Sequence, residues 1–244
     1  MRLDRWLVER GFFATREKAR QAIAGGKVHL NGKPAIKPAQ PVSGDAAIVI
    51  REPLRYVSRG GEKLEQAIKA LGLQVKGLVA LDTGASTGGF TDCLLQHGAA
   101  KVYAVDVGNN QLAERLRLDP RVVAMEQTDI RRVTEWPQPV DLVVADLSFI
   151  SLTKVLDALV QPLRRGGQLL ALVKPQFEQQ QRIRFKQGII KKPELQQQAV
   201  ARVVEAAVAH HLQPVGTFAV GGTAGRNREF FVLFTYDKSP DSKL

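Results

Sequence analysis

The stretch L-V-A-L-D-T-G-A-S-T-G-G-F-T-D, Leu78–Asp92, decides the fold. A short apolar run ends in Asp82. A loop of small residues follows, carrying Gly84, Ser86, Thr87, Gly88 and Gly89, and an apolar, helix-like segment begins at Phe90. The order is strand, tight loop, helix, and loops of this composition let a ligand approach the backbone closely.

Outward from this stretch, strand-like and helix-like runs alternate. Strands are expected at Val79–Leu81, Val102–Val105, Val122–Met125, Leu142–Ala145, Leu169–Val173 and Phe230–Tyr236. Helices are expected at Phe90–His97, Leu112–Leu118, Leu152–Arg164 and Glu194–His211. The alternation predicts an α/β fold, a parallel Rossmann-like sheet with helices on both faces. In such sheets ligands bind beyond the carboxyl ends of the strands. Asp106 closes the second strand in Y-A-V-D-V-G, twenty-two residues after Gly84. A carboxylate there would accept both ribose hydroxyls of an adenosine.

The loop reads D-x-G-x-S-x-G-G-F and lacks the G-x-G-x-x-G of dinucleotide sites. An acid at the strand end suits a cationic ligand better than a diphosphate. The expectation is S-adenosyl-L-methionine, with Asp82 near its positive charge and Asp129 either bonding an adenine amino group or serving as a loop or N-cap residue. The cofactor set is then Asp82, Gly84, Ser86, Thr87, Gly88, Gly89, Phe90, Asp106 and Asp129. No metal is called for.

Ahead of this lies a smaller module. The net charge is +11, and residues 1–60 hold twelve Lys/Arg against five Asp/Glu. A basic module on a larger domain points to a polyanion, most simply nucleic acid. Leu3, Trp6 and Leu7 share one helical face. Thr15 is placed to cap a second helix, Arg16–Ala24, with Ala19, Ala22 and Ile23 inward. Asn31-Gly32 marks a hairpin, and Ala46–Ile50 reads as a further strand. The run Arg2-Leu3-Asp4, Leu7, Thr15-Arg16, Ala19, Ile23, Gly26, Val28 and Asn31-Gly32 resembles the RNA-binding domain named after ribosomal protein S-four. That resemblance implies RNA contact through Arg5, Arg16, Lys18, Arg20 and Lys27. Gly60-Gly61 and Pro53 punctuate the chain beyond. The expected organisation is an RNA-binding domain at 1–52, a linker at 53–62, the α/β domain at 63–238 and a polar tail at 239–244.

One cysteine, Cys93, rules out an intrachain disulfide and suits a reducing compartment. No apolar run is long enough to cross a bilayer, and the charged N-terminus has no signal-peptide core. A cytoplasmic monomer is expected.

Four ionisable residues fall at strand ends or flanking helices near the same rim: Lys63, Asp146 in A-D-L-S-F-I-S, Lys174 in L-V-K-P-Q-F-E, and Glu229 before the last strand. With S-R-G-G-E-K-L, D-T-G-A-S-T-G-G-F-T-D, A-V-D-V-G and E-F-F, these motifs resemble the TlyA branch of the FtsJ-like ribose 2'-O-methyltransferases across about residues 57–234. The resemblance implies a Lys-Asp-Lys-Glu catalytic tetrad at Lys63, Asp146, Lys174 and Glu229, with Arg59 as a further RNA contact. It implies methyl transfer to a ribose, a cytidine's, in ribosomal RNA or a ribosomal subunit, and the short N-terminus resembles the subclass acting on large-subunit RNA.

A ribose hydroxyl is a poor acid and needs a base. Lysine has an unperturbed pKa of about 10.4, and burial beside a second lysine would lower it. Lys174 is expected to take the proton, Lys63 to add positive potential, and Asp146 and Glu229 to orient the two lysines. The family's G-N-x-E reads G-R-N-R-E here, and the segment after Pro175 carries Arg182, Arg184 and Lys186 on a loop expected to face the substrate.

The competing readings are a non-catalytic RNA-binding or ribosome-assembly factor and a methyltransferase for another RNA. A membrane-active, haemolysin-like protein, a label this family has attracted, finds no membrane segment in the sequence.

Overall fold

The protein is described here from a computed structural model, which places residues 1–24, 26–50, 55–179, 189–222 and 227–237. The basic segment with Arg182, Arg184 and Lys186 lies outside the described residues. The chain divides into two compact units, Met1–Arg55 and Tyr56–Leu244.

The first unit holds helices α1 (Leu3–Glu9) and α2 (Arg16–Ala24) and a three-stranded antiparallel sheet of β1 (Val28–Leu30), β2 (Lys33–Pro34) and β3 (Ile48–Ile50), ordered β2-β1-β3. Thr15 accepts the Lys18 amide at 3.2 Å and starts α2. Asn31 and Gly32 both have positive φ, 50° and 78°, the turn geometry that matches the twist of a two-residue hairpin. Leu3, Trp6, Leu7, Ala19, Ala22, Ile23 and Val28 form the core, with Ala35 and Val42. Asp4 is fully buried and accepts from Arg2 (3.1 Å) and Arg16 (2.9 Å), whose guanidinium groups hold its carboxyl well below the usual range.

The second unit runs α3 (Arg59–Leu71), β4 (Val79–Thr83), α4 (Gly89–Gln96), β5 (Lys101–Val105), α5 (Glu114–Arg117), β6 (Val122–Met125), β7 (Val140–Ala145), α6 (Leu156–Val160), β8 (Leu163–Val173), α7 (Pro193–Ala209), β9 (Leu212–Gly221) and β10 (Arg228–Tyr236). Seven strands form one sheet in the order β6-β5-β4-β7-β8-β10-β9. The first five are parallel, while β10 pairs antiparallel with both β8 and β9. The sheet is therefore mixed, with an antiparallel edge that the alternation did not announce.

Successive side chains of a strand face opposite sides of the sheet. Ala80, Ala104, Val144 and Leu172 pack under α3 and α4. Leu81, Val105, Val143 and Val173 pack under α6 and α7.

Several elements differ from the periodicity: β8 starts at Leu163 rather than Leu169, α5 spans only Glu114–Arg117, and three further differences have clear causes. Helix α3 begins at Arg59, inside the expected linker, because the Ser58 hydroxyl accepts the Gly60 amide at 3.3 Å and caps it. The expected helix 152–164 is a 3-10 turn (Leu152–Lys154) and the short α6. Pro162 follows α6, and Leu163 already pairs with Val140. Strand β9 was not foreseen. It holds Pro214 and Gly216, which an edge strand tolerates at a bulge, and the register against β10 shifts between Leu233 and Phe234.

Candidate active site

The sheet register assembles the site. Thr83 pairs with both Val105 and Ala145, so the next residue of each strand, Gly84, Asp106 and Asp146, emerges at one rim. The chain reverses its direction of growth at β4, and such a switch point opens a crevice. Phe230 pairs with Val173 in the antiparallel edge, which sets Glu229 beside Lys174 at the same end.

The glycine loop is built by close approach. The Gly84 and Ala85 amides both donate to the Val105 carbonyl, at 2.9 and 3.1 Å. Gly84 has φ +83°, and a Cβ there would sit 2.5 Å from the Asp146 carbonyl oxygen. Asp106 accepts from the Ser86 amide (2.8 Å) and the Gly108 amide (2.7 Å), and so ties the loop to the turn after β5. A carboxylate has about four lone-pair sites, which leaves capacity for ligand hydroxyls. The N-termini of α3 and α4 meet glycine to glycine. A Cβ on Gly61 would fall 2.7 Å from the Gly89 carbonyl, and one on Gly89 would fall 2.2 Å from the Ser58 hydroxyl.

Two clefts flank this loop. One, of about 530 Å³, is walled by Thr83, Gly84, Ser86, Asp106, Val107, Gln111, Asp129, Ile130, Asp146 and Leu147. The other, of about 340 Å³, is walled by Arg59, Gly60 and Lys63 of α3, by Gly84, Ser86, Thr87, Gly89 and Phe90, and by Asp146. Gly84, Ser86 and Asp146 belong to both.

The four tetrad residues form two ion pairs. Lys174 Nζ lies 2.6 Å from Asp146 Oδ1, outside hydrogen-bonding angles, and donates to Ser148 Oγ at 2.7 Å. Lys63 Nζ donates to Glu229 Oε2 at 2.6 Å. The Lys174 side chain is only 11% exposed. Each lysine thus has a carboxylate of its own. Ser148, the first residue of the S-F-I-S end of the motif, was not singled out from sequence, although a hydroxyl two residues past the strand-end acid was a signal to follow.

The cofactor residues are not all on the wall. Asp82 is fully buried beneath the loop, where it accepts from Thr91 Oγ1 at 2.7 Å and lines neither cleft. It shares the strand face of Ala80, toward α4, and so lies beneath the cleft walls rather than on them. Burial pushes its carboxyl up to about 7; the Thr91 bond opposes that, and the neighbouring Asp146 adds to it. Gly88, also off the wall, packs against Leu112 and Leu116. Asp129 lines the larger cleft and also caps a 3-10 turn, accepting the Arg131 amide at 3.0 Å. The Arg131 guanidinium holds its carboxyl down at about 2.

The proposed RNA residues of the first unit divide likewise. Arg16 is bound to buried Asp4, Arg5 pairs with Glu9 (2.8 Å), and Arg20 lies 3.9 Å from Glu17. Lys18 is exposed on α2, and Lys27 follows that helix. Arg59 is exposed at the first turn of α3, on the wall beside Lys63. Asn227, in the G-R-N-R-E stretch, accepts the Ile190 amide at 2.8 Å, while residues 223–226 lie outside the described residues.

The donor set of the larger cleft fits S-adenosyl-L-methionine. Asp106, Asp129 and Asp146 are acceptors for hydroxyl, amino and ammonium groups. Val107, 73% exposed, Ile130 and Leu147 offer apolar surface for a purine. The one arginine there, Arg131, is spent on Asp129, which leaves little to hold a pyrophosphate.

The FtsJ-like methyltransferase family matches residues 56–236, and the S4 domain matches residues 1–48. The Mycobacterium tuberculosis 16S/23S rRNA (cytidine-2'-O)-methyltransferase TlyA is 46% identical over 226 residues, 90% of this chain and 82% of that protein. The Campylobacter jejuni 23S rRNA (cytidine-2'-O)-methyltransferase TlyA is 33% identical over 211 residues, 78% of this chain and 81% of that one. Among solved structures, a Streptococcus thermophilus protein titled a hemolysin superposes with a TM-score of 0.74 at 39% identity, covering 98% of this chain and 90% of that one. No helix among the described residues is long and apolar enough to cross a membrane. A glycine loop, an acid-lined cleft and two lysine–carboxylate pairs on one rim thus sit in a chain that belongs to the FtsJ-like methyltransferase family and carries an S4 domain ahead of the catalytic fold.

Proposed function

We propose that this chain methylates the ribose 2'-oxygen of a cytidine in ribosomal RNA, with S-adenosyl-L-methionine as donor and Lys174 as the base. It acts as a cytoplasmic monomer on the RNA or on the subunit that carries it. The observation that carries the reading is the pairing of Lys174 with Asp146, and of Lys63 with Glu229, at the rim of the glycine-loop crevice.

S-adenosyl-L-methionine, when bound, supplies a methyl group on a positively charged sulfur. The chain's own residues must hold it, align the acceptor and remove one proton. Asp106 and Asp129 hold the adenosine end, and the glycine loop leaves the backbone of Gly84 and Ser86 open beside it. Lys174 accepts the hydroxyl proton, and the ammonium that results faces Asp146 and Ser148. Lys63, held by Glu229 on the wall of the smaller cleft, keeps positive potential where the alkoxide develops. The S4 domain supplies RNA affinity through phosphate contacts.

Replacing Lys174 with alanine tests this. A general base contributes about 10²–10⁴-fold, so Lys174→Ala should lower methylation of ribosomal RNA by at least about a hundredfold. Methylated nucleosides are read by mass spectrometry, with small and large subunits assayed separately. Affinity for S-adenosylhomocysteine, measured by calorimetry, should stay within about twofold, since Lys174 lines neither cleft wall. Undiminished turnover overturns the assignment.

A further inference from the structure

The sheet does not set the Asp146–Lys174 distance. The β7–β8 ladder ends at Ala145 paired with Ala171, and Lys174 is three residues further on. Beyond that point the loop leaving β7 (146–151) and the turn leaving β8 (174–178) are joined by side chains. Lys174 reaches Asp146 and Ser148. Phe149 meets Phe177 with ring centroids 5.2 Å apart. The remaining tie is Glu178, the last residue of L-V-K-P-Q-F-E, which the reaction does not use.

Glu178 is 2% exposed, and both its carboxylate oxygens are spent on the other loop. Oε2 accepts from Ser151 Oγ at 2.5 Å, and Oε1 accepts from the Leu152 amide at 2.8 Å. Its own carbonyl accepts from Arg202 of α7, which anchors the turn from behind. Ser151 in turn accepts the Thr153 amide at 3.3 Å and caps the 3-10 turn that ends its loop. Burying a carboxylate costs free energy unless it is hydrogen-bonded, and here each oxygen accepts a donor from the segment after β7. The S-F-I-S and Q-F-E ends of the two motifs thereby close on each other just outside the ion pair.

We propose that Glu178, acting with Ser151, is a positioning residue for Lys174: the Glu178–Ser151–Leu152 clamp fixes the turn after β8 against the loop after β7 and so sets the lysine against Asp146. The inference rests on the reading of Lys174 as the base. It concerns geometry beyond the tetrad and assigns Glu178 no contact with substrate or donor.

The test uses the full chain carrying Glu178→Gln, Ser151→Ala, both together, or Lys174→Ala, with ribosomal subunits and tritiated S-adenosyl-L-methionine. Competent molecules are counted by the stoichiometry of S-adenosylhomocysteine binding. An ångström of misplacement costs about a hundredfold in rate, so each single variant should lower kcat per competent molecule by about ten- to a hundredfold. KM for the donor should stay within about twofold. The double variant should fall no further than the weaker single one, because both changes open the same clamp. A purely structural role would lower the number of competent molecules and the Tm while leaving kcat per molecule intact, and that result overturns the proposal. Losses that multiply in the double variant, or that follow donor affinity, overturn it too. Should Glu178→Gln bind no S-adenosylhomocysteine, Ser151→Ala alone decides by the same criteria. An active Lys174→Ala variant removes the base and this proposal together; an inactive Lys174→Ala beside fully active clamp variants removes only this one.

Discussion

Asp82 shows how far a strand-end residue can be read from sequence. The apolar run into D-T-G locates the end of β4, but the face on which Asp82 points follows from pairing with neighbouring strands. It falls on the Ala80 side, beneath α4, where it accepts from Thr91. Its folded pKa of about 7 lies above its unfolded value of about 4. Between those values the folded protein keeps a proton that the unfolded chain has released. Unfolding there loses a proton, and this group's contribution makes stability fall as pH rises from about 4 to 7, with no further change above. The slope is at most about 1.4 kcal/mol per pH unit. Asp82→Asn removes the titration and keeps an acceptor for Thr91. The variant should therefore gain on wild type from pH 5 to pH 7 in urea unfolding. Parallel stability profiles would show that Asp82 titrates as an ordinary carboxyl.

Among the elements, α3 joins the local signal to the site. Ser58 caps it, Gly60-Gly61 brings it onto Gly89, and Lys63 falls one turn in, on the cleft wall. Loss of an N-cap costs about 1 kcal/mol, so Ser58→Ala should lower Tm by about 2–4 °C for a chain of this size, which scanning calorimetry reads directly. An unchanged Tm would mean that the glycine contact alone holds the helix start. The helix start was legible in S-R-G-G-E-K-L only in hindsight, because the two glycines read as linker punctuation. Strands β4, β5 and β7 were legible as short apolar runs, since strands buried on both faces carry little polar interruption. The first half of β8, with Arg164, Arg165, Gly166 and Gly167, and the whole of β9, with Pro214 and Gly216, were not. They are exposed or edge segments whose arginines, glycines and proline interrupt any apolar run, so no local pattern marks them as strand. That Lys63, Asp146, Lys174 and Glu229 share one rim was legible from residue types at strand ends and, for Lys63, on a flanking helix. Their division into two ion pairs was not, because the antiparallel return of β10 is what sets Glu229 beside Lys174.

For the molecule as a whole, charge separates RNA binding from donor binding. The chain carries +11, and twelve of its thirty-five Lys/Arg residues lie in residues 1–60. The larger cleft is instead lined by carboxylates. RNA affinity should therefore fall steeply with salt as counterions are retaken, with a log–log slope of about −0.7 per phosphate contact on single-stranded RNA. Affinity for S-adenosylhomocysteine should barely move. The first unit allows a sharper form of the test. Arg16 is held by buried Asp4, so Arg16→Ala disturbs the core as well as the charge. Lys18 is exposed on the same helix and its removal subtracts charge alone. Lys18→Ala should weaken ribosomal RNA binding and flatten the salt slope by about 0.7, the share of one contact. Its Tm and donor affinity should remain those of wild type. Filter binding across 50–300 mM salt, a range of roughly twofold in Debye length, measures both quantities. An unchanged slope would exclude Lys18 from the RNA face and move the contact to another of the unit's basic residues.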